Sequence, residues 1–167
     1  MKRKIYAEML KWKQESARKT ALLIDGAYRV GKSYIAEAFA KNEYRSYLMI
    51  DFNNVSSDVK DLFYNYLNDL DTFFMYLSGY YNVKLYPGES LIIFDEVQQL
   101  PRARAALKYL VADGRFDYME TGSLMSIRKN VTDIVIPSEE RHIKMYPMDF
   151  EEFLWAKGYD DSFTEDL

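Results

Sequence analysis

One short stretch limits what this chain can fold into. Residues 26–33 read Gly-Ala-Tyr-Arg-Val-Gly-Lys-Ser, after the apolar run Ala21-Leu22-Leu23-Ile24 and before a helix-like stretch from Tyr34 to Ala40. This is the pattern G-x-x-x-x-G-K-[ST] between a strand and a helix, a phosphate-binding P-loop. Gly26 and Gly31 let the backbone turn tightly without a Cβ in the way. The N–H groups of Ala27, Tyr28, Arg29 and Val30 then form a nest for anions. The helix entered through Tyr34 adds its positive N-terminal end. Lys32 is placed to neutralise β- and γ-phosphates, and Ser33 to offer a hydroxyl to Mg²⁺.

A second motif supports the first. Residues 91–96 read Leu-Ile-Ile-Phe-Asp-Glu. A continuous apolar run of this length suits a strand buried on both faces of a parallel sheet. Acids at its carboxyl end lie where open α/β sheets bind ligands. In this Walker B pattern Asp95 is the Mg²⁺ residue and Glu96 the general base that polarises an attacking water. The expected ligands are ATP and Mg²⁺.

Composition excludes several other classes. The 167 residues are 49% apolar and 29% charged, enough for one globular domain with a core. There is no cysteine, so no disulfide framework and no thiolate metal site. The net charge of −4 does not indicate a nucleic-acid partner. No apolar run approaches the ~20 residues of a membrane span, and Glu8, Lys11 and Lys13 interrupt any signal-peptide core after the basic start Met1-Lys2-Arg3-Lys4. A cytoplasmic protein without a membrane partner is the simplest reading.

Periodicity orders the elements. Ile5, Met9 and Trp12 mark a helix over 4–17. Strand one covers 21–25, and Ile35 and Phe39 face inward from the helix after the P-loop. Residues 47–50 form strand two, closed by Asp51. Val59, Leu62, Phe63, Tyr66, Leu67 and Leu70 give one helical stripe, and 72–82 a further helix ending near Asn82. Pro87-Gly88 turns into the Walker B strand. Pro101 and Gly114 bracket a helix with Ala103, Leu107, Leu110 and Val111 inward, and 116–120 form strand four. Ile134–Ile136 and Ile143–Tyr146 read as short strands around Pro137-Ser138. Asp149 and Glu152 resemble a capping box for a helix with Phe150, Phe153 and Leu154 inward. Strands alternating with helices predict an α/β three-layer sandwich of the P-loop NTPase type, a parallel sheet with helices on both faces.

Other residues carry weaker signals. Thr121-Gly122-Ser123 follows strand four. Where a catalytic glutamate adjoins the Walker B aspartate, an extra strand separates the P-loop strand from the Walker B strand, which predicts the order 5-1-4-3-2. A polar residue at its end then touches the γ-phosphate or the lytic water, which makes Thr121 and Ser123 catalytic candidates beside Glu96 and Lys32; the alternative is a plain polar turn. Arg102, Arg104, Arg128 and Arg141 are the arginines available as a finger in trans, and for each a solvated surface charge is the plainer reading. His142 is the only histidine and has no ligand set around it. The aromatics between Phe63 and Tyr86 are mostly core, with more than one helical face aromatic, so that some form an exposed recognition patch in the alternative reading.

The chain resembles a prokaryotic AAA-type ATPase family. The resemblance runs through Leu22–Ser33, Leu91–Gln98, Glu120-Thr121-Gly122-Ser123-Leu124 and Tyr146-Pro147-Met148-Asp149-Phe150-Glu151-Glu152-Phe153-Leu154, in the family's order. Tyr28 stands where the family often has arginine. The resemblance implies one ATPase core over 1–167, with an N-terminal helix over 1–18 and the nucleotide-binding core over 19–167, and lacking the C-terminal region that family members usually carry. It implies ATP hydrolysis coupled to conformational change, with a protein partner or self-association. Two alternatives stay open: a P-loop kinase, against which Glu96 argues, and a nucleotide switch or binding module with little turnover.

Overall fold

The computed structural model describes residues 3–27, 31–123, 140–147 and 150–158. The elements are α1 (Ile5–Glu15), β1 (Ala21–Gly26), α2 (Lys32–Glu43), β2 (Ser46–Asp51), α3 (Ser57–Asn65), α4 (Leu70–Tyr81), β3 (Ser90–Asp95), α5 (Pro101–Asp113), β4 (Asp117–Gly122), β5 (Glu140–Met145) and α6 (Phe150–Ala156). A 3₁₀ turn, Val97–Gln99, joins β3 to α5. The five strands form one sheet in the order β2-β3-β4-β1-β5, with every pair parallel. This is the expected order read from the other edge. β4 separates β1, which leads into the P-loop, from β3, which ends at Asp95.

Successive strand residues point to opposite faces, and the core divides accordingly. Leu22, Ile24, Leu91, Ile93 and Met119 pack against α1 and α2 through Met9, Trp12, Ile35 and Phe39. Leu23, Ile50, Ile92, Phe94 and Tyr118 pack against α3, α4 and α5. That second layer centres on Phe63, whose ring meets Phe52, Phe73 and Phe94 edge to face at 5.2–5.7 Å. Edge-to-face geometry suits rings with negative faces and positive edges.

Local chemistry sets the helix ends. Pro101 opens α5, and Gly114 closes it in the left-handed region at φ 79°. Asn82 closes α4 with φ 53°. The stripe from Val59 to Leu70 is not one helix. It breaks at Tyr66–Asp69 because Asp69 caps a new helix, accepting hydrogen bonds from Thr72 N at 3.3 Å and Thr72 Oγ1 at 2.6 Å. The second helix therefore starts at Leu70, not 72.

Three further expectations change. Strand four runs on through Gly122, because Thr121 and Gly122 pair with Ile24 and Asp25 of β1. Phe153 does not face inward: it is 47% exposed, while Glu152 and Leu154 are buried. Glu152 takes the inner position because its carboxylate accepts from Lys4 N at 2.7 Å and Arg3 Nε at 3.1 Å. Arg104 is no surface charge. It is 2% exposed beneath the sheet, held by Glu140 Oε2 at 3.0 Å and facing Glu120 Oε1 at 3.8 Å. Residues 134–138, Asp149 of the capping pair and the Phe150 side chain lie outside the described residues.

Candidate functional site

The two motifs converge at the carboxyl edge of the sheet. β1 ends at Gly26, and α2 begins at Lys32 after Gly31, whose φ of 95° places it where side chains are strained. The first N–H groups of α2 have no partner within the helix and give this end a positive field. Lys32 is nearly buried, with Nζ donating to the Gly26 carbonyl at 2.8 Å and lying 3.8 Å from Glu96 Oε1. Ala27 and Tyr34 are exposed on either side. Tyr28, Arg29 and Val30 of the predicted cradle lie outside the described residues.

Asp95 ends β3, Thr121 is the last residue but one of the neighbouring β4, and both point to the face that carries α2. Ser33 Oγ donates to Asp95 Oδ1 at 2.6 Å, and Thr121 Oγ1 donates to the same oxygen at 2.7 Å. Thr121 Oγ1 also accepts from Glu96 N at 2.9 Å. That contact holds Glu96 in the left-handed region, φ 55° and ψ 54°, a conformation uncommon for a residue other than glycine. Such strain is often kept at functional sites because the surroundings over-determine it. Ser123 lies half-buried just past the end of β4. The structure thus brings together Gly26, Gly31, Lys32, Ser33, Asp95, Glu96 and Thr121 from three strands and one helix.

The sequence reading missed two residues. Gln98 Nε2 donates to Glu96 Oε2 at 2.6 Å. The 3₁₀ turn folds Gln98 back over the acid, and no spacing rule announces that. Arg3 is the other. Its Nη2 donates to the Tyr146 carbonyl at 2.8 Å, and its Nη1 lies 3.7 Å from where a Cβ on Gly31 would stand. Arg3 and Tyr146 line a groove of about 740 Å³ between α1 and β5, alongside the end of the P-loop. Only the basic character of the N-terminus was visible in the sequence.

The other sequence candidates lie elsewhere. Arg102 donates from Nε to the Phe63 carbonyl at 3.2 Å, and Arg141 from Nη1 to Ser16 Oγ at 3.0 Å. Arg128 lies outside the described residues. His142 sits on β5, with Nε2 2.6 Å from Glu140 Oε1. Among the described residues no helix is long and apolar enough to cross a membrane.

Residues 18–154 match the family model of the AAA domain. No curated protein matches the chain. That span holds the P-loop, β3 and the strand β4 inserted between β1 and β3, so the chain belongs to the AAA domain family, a nucleotide-binding, ATPase-like P-loop module.

Proposed function

We propose that the chain binds ATP with Mg²⁺ and hydrolyses it, coupling hydrolysis to a conformational change in a larger assembly. The observation that carries this reading is the run of hydrogen bonds from Ser33 through Asp95 and Thr121 to Glu96 N, beside a buried lysine. Oxygen donors of this kind fit Mg²⁺. Ser33 Oγ and Asp95 Oδ1 are hard ligands 2.6 Å apart. Among the described residues no group of three or more His, Cys, Asp or Glu could hold a metal alone. Ser33 and Asp95 would hold the ion together with water and phosphate oxygens, the ligands Mg²⁺ prefers. When bound, it would supply neutralisation of phosphate charge.

The chain's own residues do the rest. Lys32 exchanges the Gly26 carbonyl for the β- and γ-phosphates, with Gly26, Ala27, Tyr28, Arg29, Val30, Gly31 and Tyr34 around them. Glu96 orients a water and takes its proton. Gln98 holds the second oxygen of that carboxylate, and Thr121 fixes the backbone that carries it. Ser123, with Thr121, lines the γ-phosphate side. The groove at Arg3 and Tyr146 receives the nucleoside. The kinase alternative loses ground to the strand order, because β1 pairs with β4 and β5 and not with β3.

Calorimetric titration and single-turnover hydrolysis test the reading. Lys32→Ala should weaken ATP binding severely, and unchanged affinity would remove the phosphate site. Glu96→Gln should keep Mg-ATP affinity and slow hydrolysis by about 10²–10⁴-fold. Asp95→Asn should lose affinity and turnover together. Hydrolysis by Glu96→Gln at the wild-type rate would mean Glu96 is not the base.

A further inference from the structure

The helical pair α3–α4 has an outer face on which Tyr76 meets Tyr66, and Tyr80 meets Tyr81, edge to face, while much of Tyr76 and of Tyr80 stays exposed. α4 presents Met75, Tyr76, Gly79 and Tyr80 to the outside, with Met75 60% and Tyr80 51% exposed. Together with Asp58 and Asp61 of α3 they line an open groove of about 410 Å³. Exposed tyrosine and methionine on one strip mark a recognition surface, because both residue types are enriched where partners bind and depleted on bare helix faces.

Gly79 is an independent observation. A glycine inside a helix costs about 1 kcal/mol relative to alanine. Nothing lies within 4 Å of where its Cβ would stand. Its φ is not positive. The helix therefore has no geometric need for glycine here. What a missing Cβ does provide is close approach by another backbone, at the centre of the Met75–Tyr80 strip.

Charge selects the occupant. Asp58 and Asp61 are the charged residues lining the groove. Carboxylates repel phosphate, which disfavours nucleic acid and anionic lipid. A second copy meeting this face through a two-fold axis would bring the carboxylates of both copies together with no cation lining the groove to offset them.

We propose that the α3–α4 groove docks an amphipathic helix of a partner protein. The partner's apolar face would lie on Met75, Tyr76 and Tyr80, its backbone would cross at Gly79, and its Lys or Arg side chains would meet Asp58 and Asp61. This is the helix-in-groove mode, with cations on the rim giving orientation.

The probe is a fluorescently labelled Leu/Lys amphipathic peptide of about 14 residues, long enough to follow α4, titrated by anisotropy. Its control carries Glu at every Lys. The Leu/Lys peptide should bind and the Leu/Glu peptide should not. Tyr76→Ala, Tyr80→Ala and the pair Asp58→Asn with Asp61→Asn should each weaken binding by about tenfold or more, the scale of an interface hot spot. Gly79→Ala separates docking from folding: it should raise the melting temperature and weaken the peptide together. Urea melts of each variant verify that the fold is kept. Equal binding of both peptides, or binding unmoved by Gly79→Ala and the aspartate pair, would overturn the proposal. So would no binding of either peptide, self-association that Tyr76→Ala abolishes, or attachment to anionic vesicles through this face.

Discussion

Thr121 is the residue whose replacement tests the site's geometry most directly. Its hydroxyl is fully buried, donates to Asp95 Oδ1 and accepts from Glu96 N. Thr121→Val keeps the shape and removes both bonds. The Glu96 N–H then loses the side-chain acceptor it has in the protein. Leaving a buried polar group unsatisfied costs about 1–3 kcal/mol. Asp95 loses one of two hydroxyl donors but keeps Ser33, so its share is smaller. The sum is about 2–4 kcal/mol, a sizeable part of a stability that is typically about 5–15 kcal/mol. In a chain of this size it corresponds to a melting shift of roughly 5–15 °C. Thr121→Ser keeps both bonds and loses one methyl, for about 1 kcal/mol. Urea unfolding with linear extrapolation reads both variants. Single-turnover hydrolysis should fall for valine and survive for serine, because only valine frees the Glu96 backbone. If valine is within about 0.5 kcal/mol of wild type, or if serine is the worse of the two, Thr121 does not hold the turn at Asp95–Glu96.

Three more expectations follow from the packing and the buried charge. Phe63→Ala, at the centre of the ring cluster, should cost about 3–5 kcal/mol by cavity formation, read by the same unfolding assay. Ser56→Ala removes the side chain that accepts from Val59 N at 3.2 Å and should cost about 1 kcal/mol with no change in ATP affinity. Glu120 is fully buried with neither oxygen meeting a donor, and burial, then Glu140, raises its carboxyl well above the usual range. The folded state thus holds a proton that the unfolded chain releases, and stability falls as pH rises from the ordinary Glu value of 4.5 upward. Glu120→Gln should flatten that fall and be the more stable protein at about pH 8, and a wild-type pH slope in the variant would show that Glu120 is ionised in the fold.

The fold was legible because its signals are local. An apolar run, a Gly-Lys-Ser turn and a period of 3.6 each survive without knowledge of distant residues. The inserted strand could be deduced because the Asp95–Glu96 pair needs room from the P-loop. What stayed hidden depends on contacts between distant positions. Gln98 reaches Glu96 only because a 3₁₀ turn reverses the chain. Arg104 reads as one more surface cation until Glu120 and Glu140, from strands on either side of β1, appear beneath it. Phe153 read as a core residue because hydrophobic spacing cannot see that Glu152 pairs with Arg3 and the Lys4 backbone, at the far end of the chain. The break at Asp69 was visible in principle, as an aspartate three residues before Thr72. The unbroken apolar spacing from Val59 to Leu70 masked it.

The end of β4 ties the site to the opposite face of the sheet. Glu120 and Thr121 are consecutive, so their side chains leave opposite faces. Thr121 meets Asp95 and the Glu96 backbone on the α2 side. Glu120 lies under α5 against Arg104, which grips Glu140 of β5 at the same time. α5 is thereby joined to the site twice, once through that buried cluster and once through the short turn that starts at Glu96. The α3–α4 pair has its own link, because Phe52 N, at the head of that segment, donates to the Asp95 carbonyl at 3.0 Å. Asp95 thus stands one hydrogen bond from Phe52, whose ring packs on Phe63 of α3, which in turn packs on Phe73 of α4. Interiors packed like crystals transmit displacement instead of absorbing it. In the proposed mechanism a change at Asp95 would pass through these contacts to α5 and to α3–α4, and the outer side of α3–α4 is where the proposed partner helix would dock.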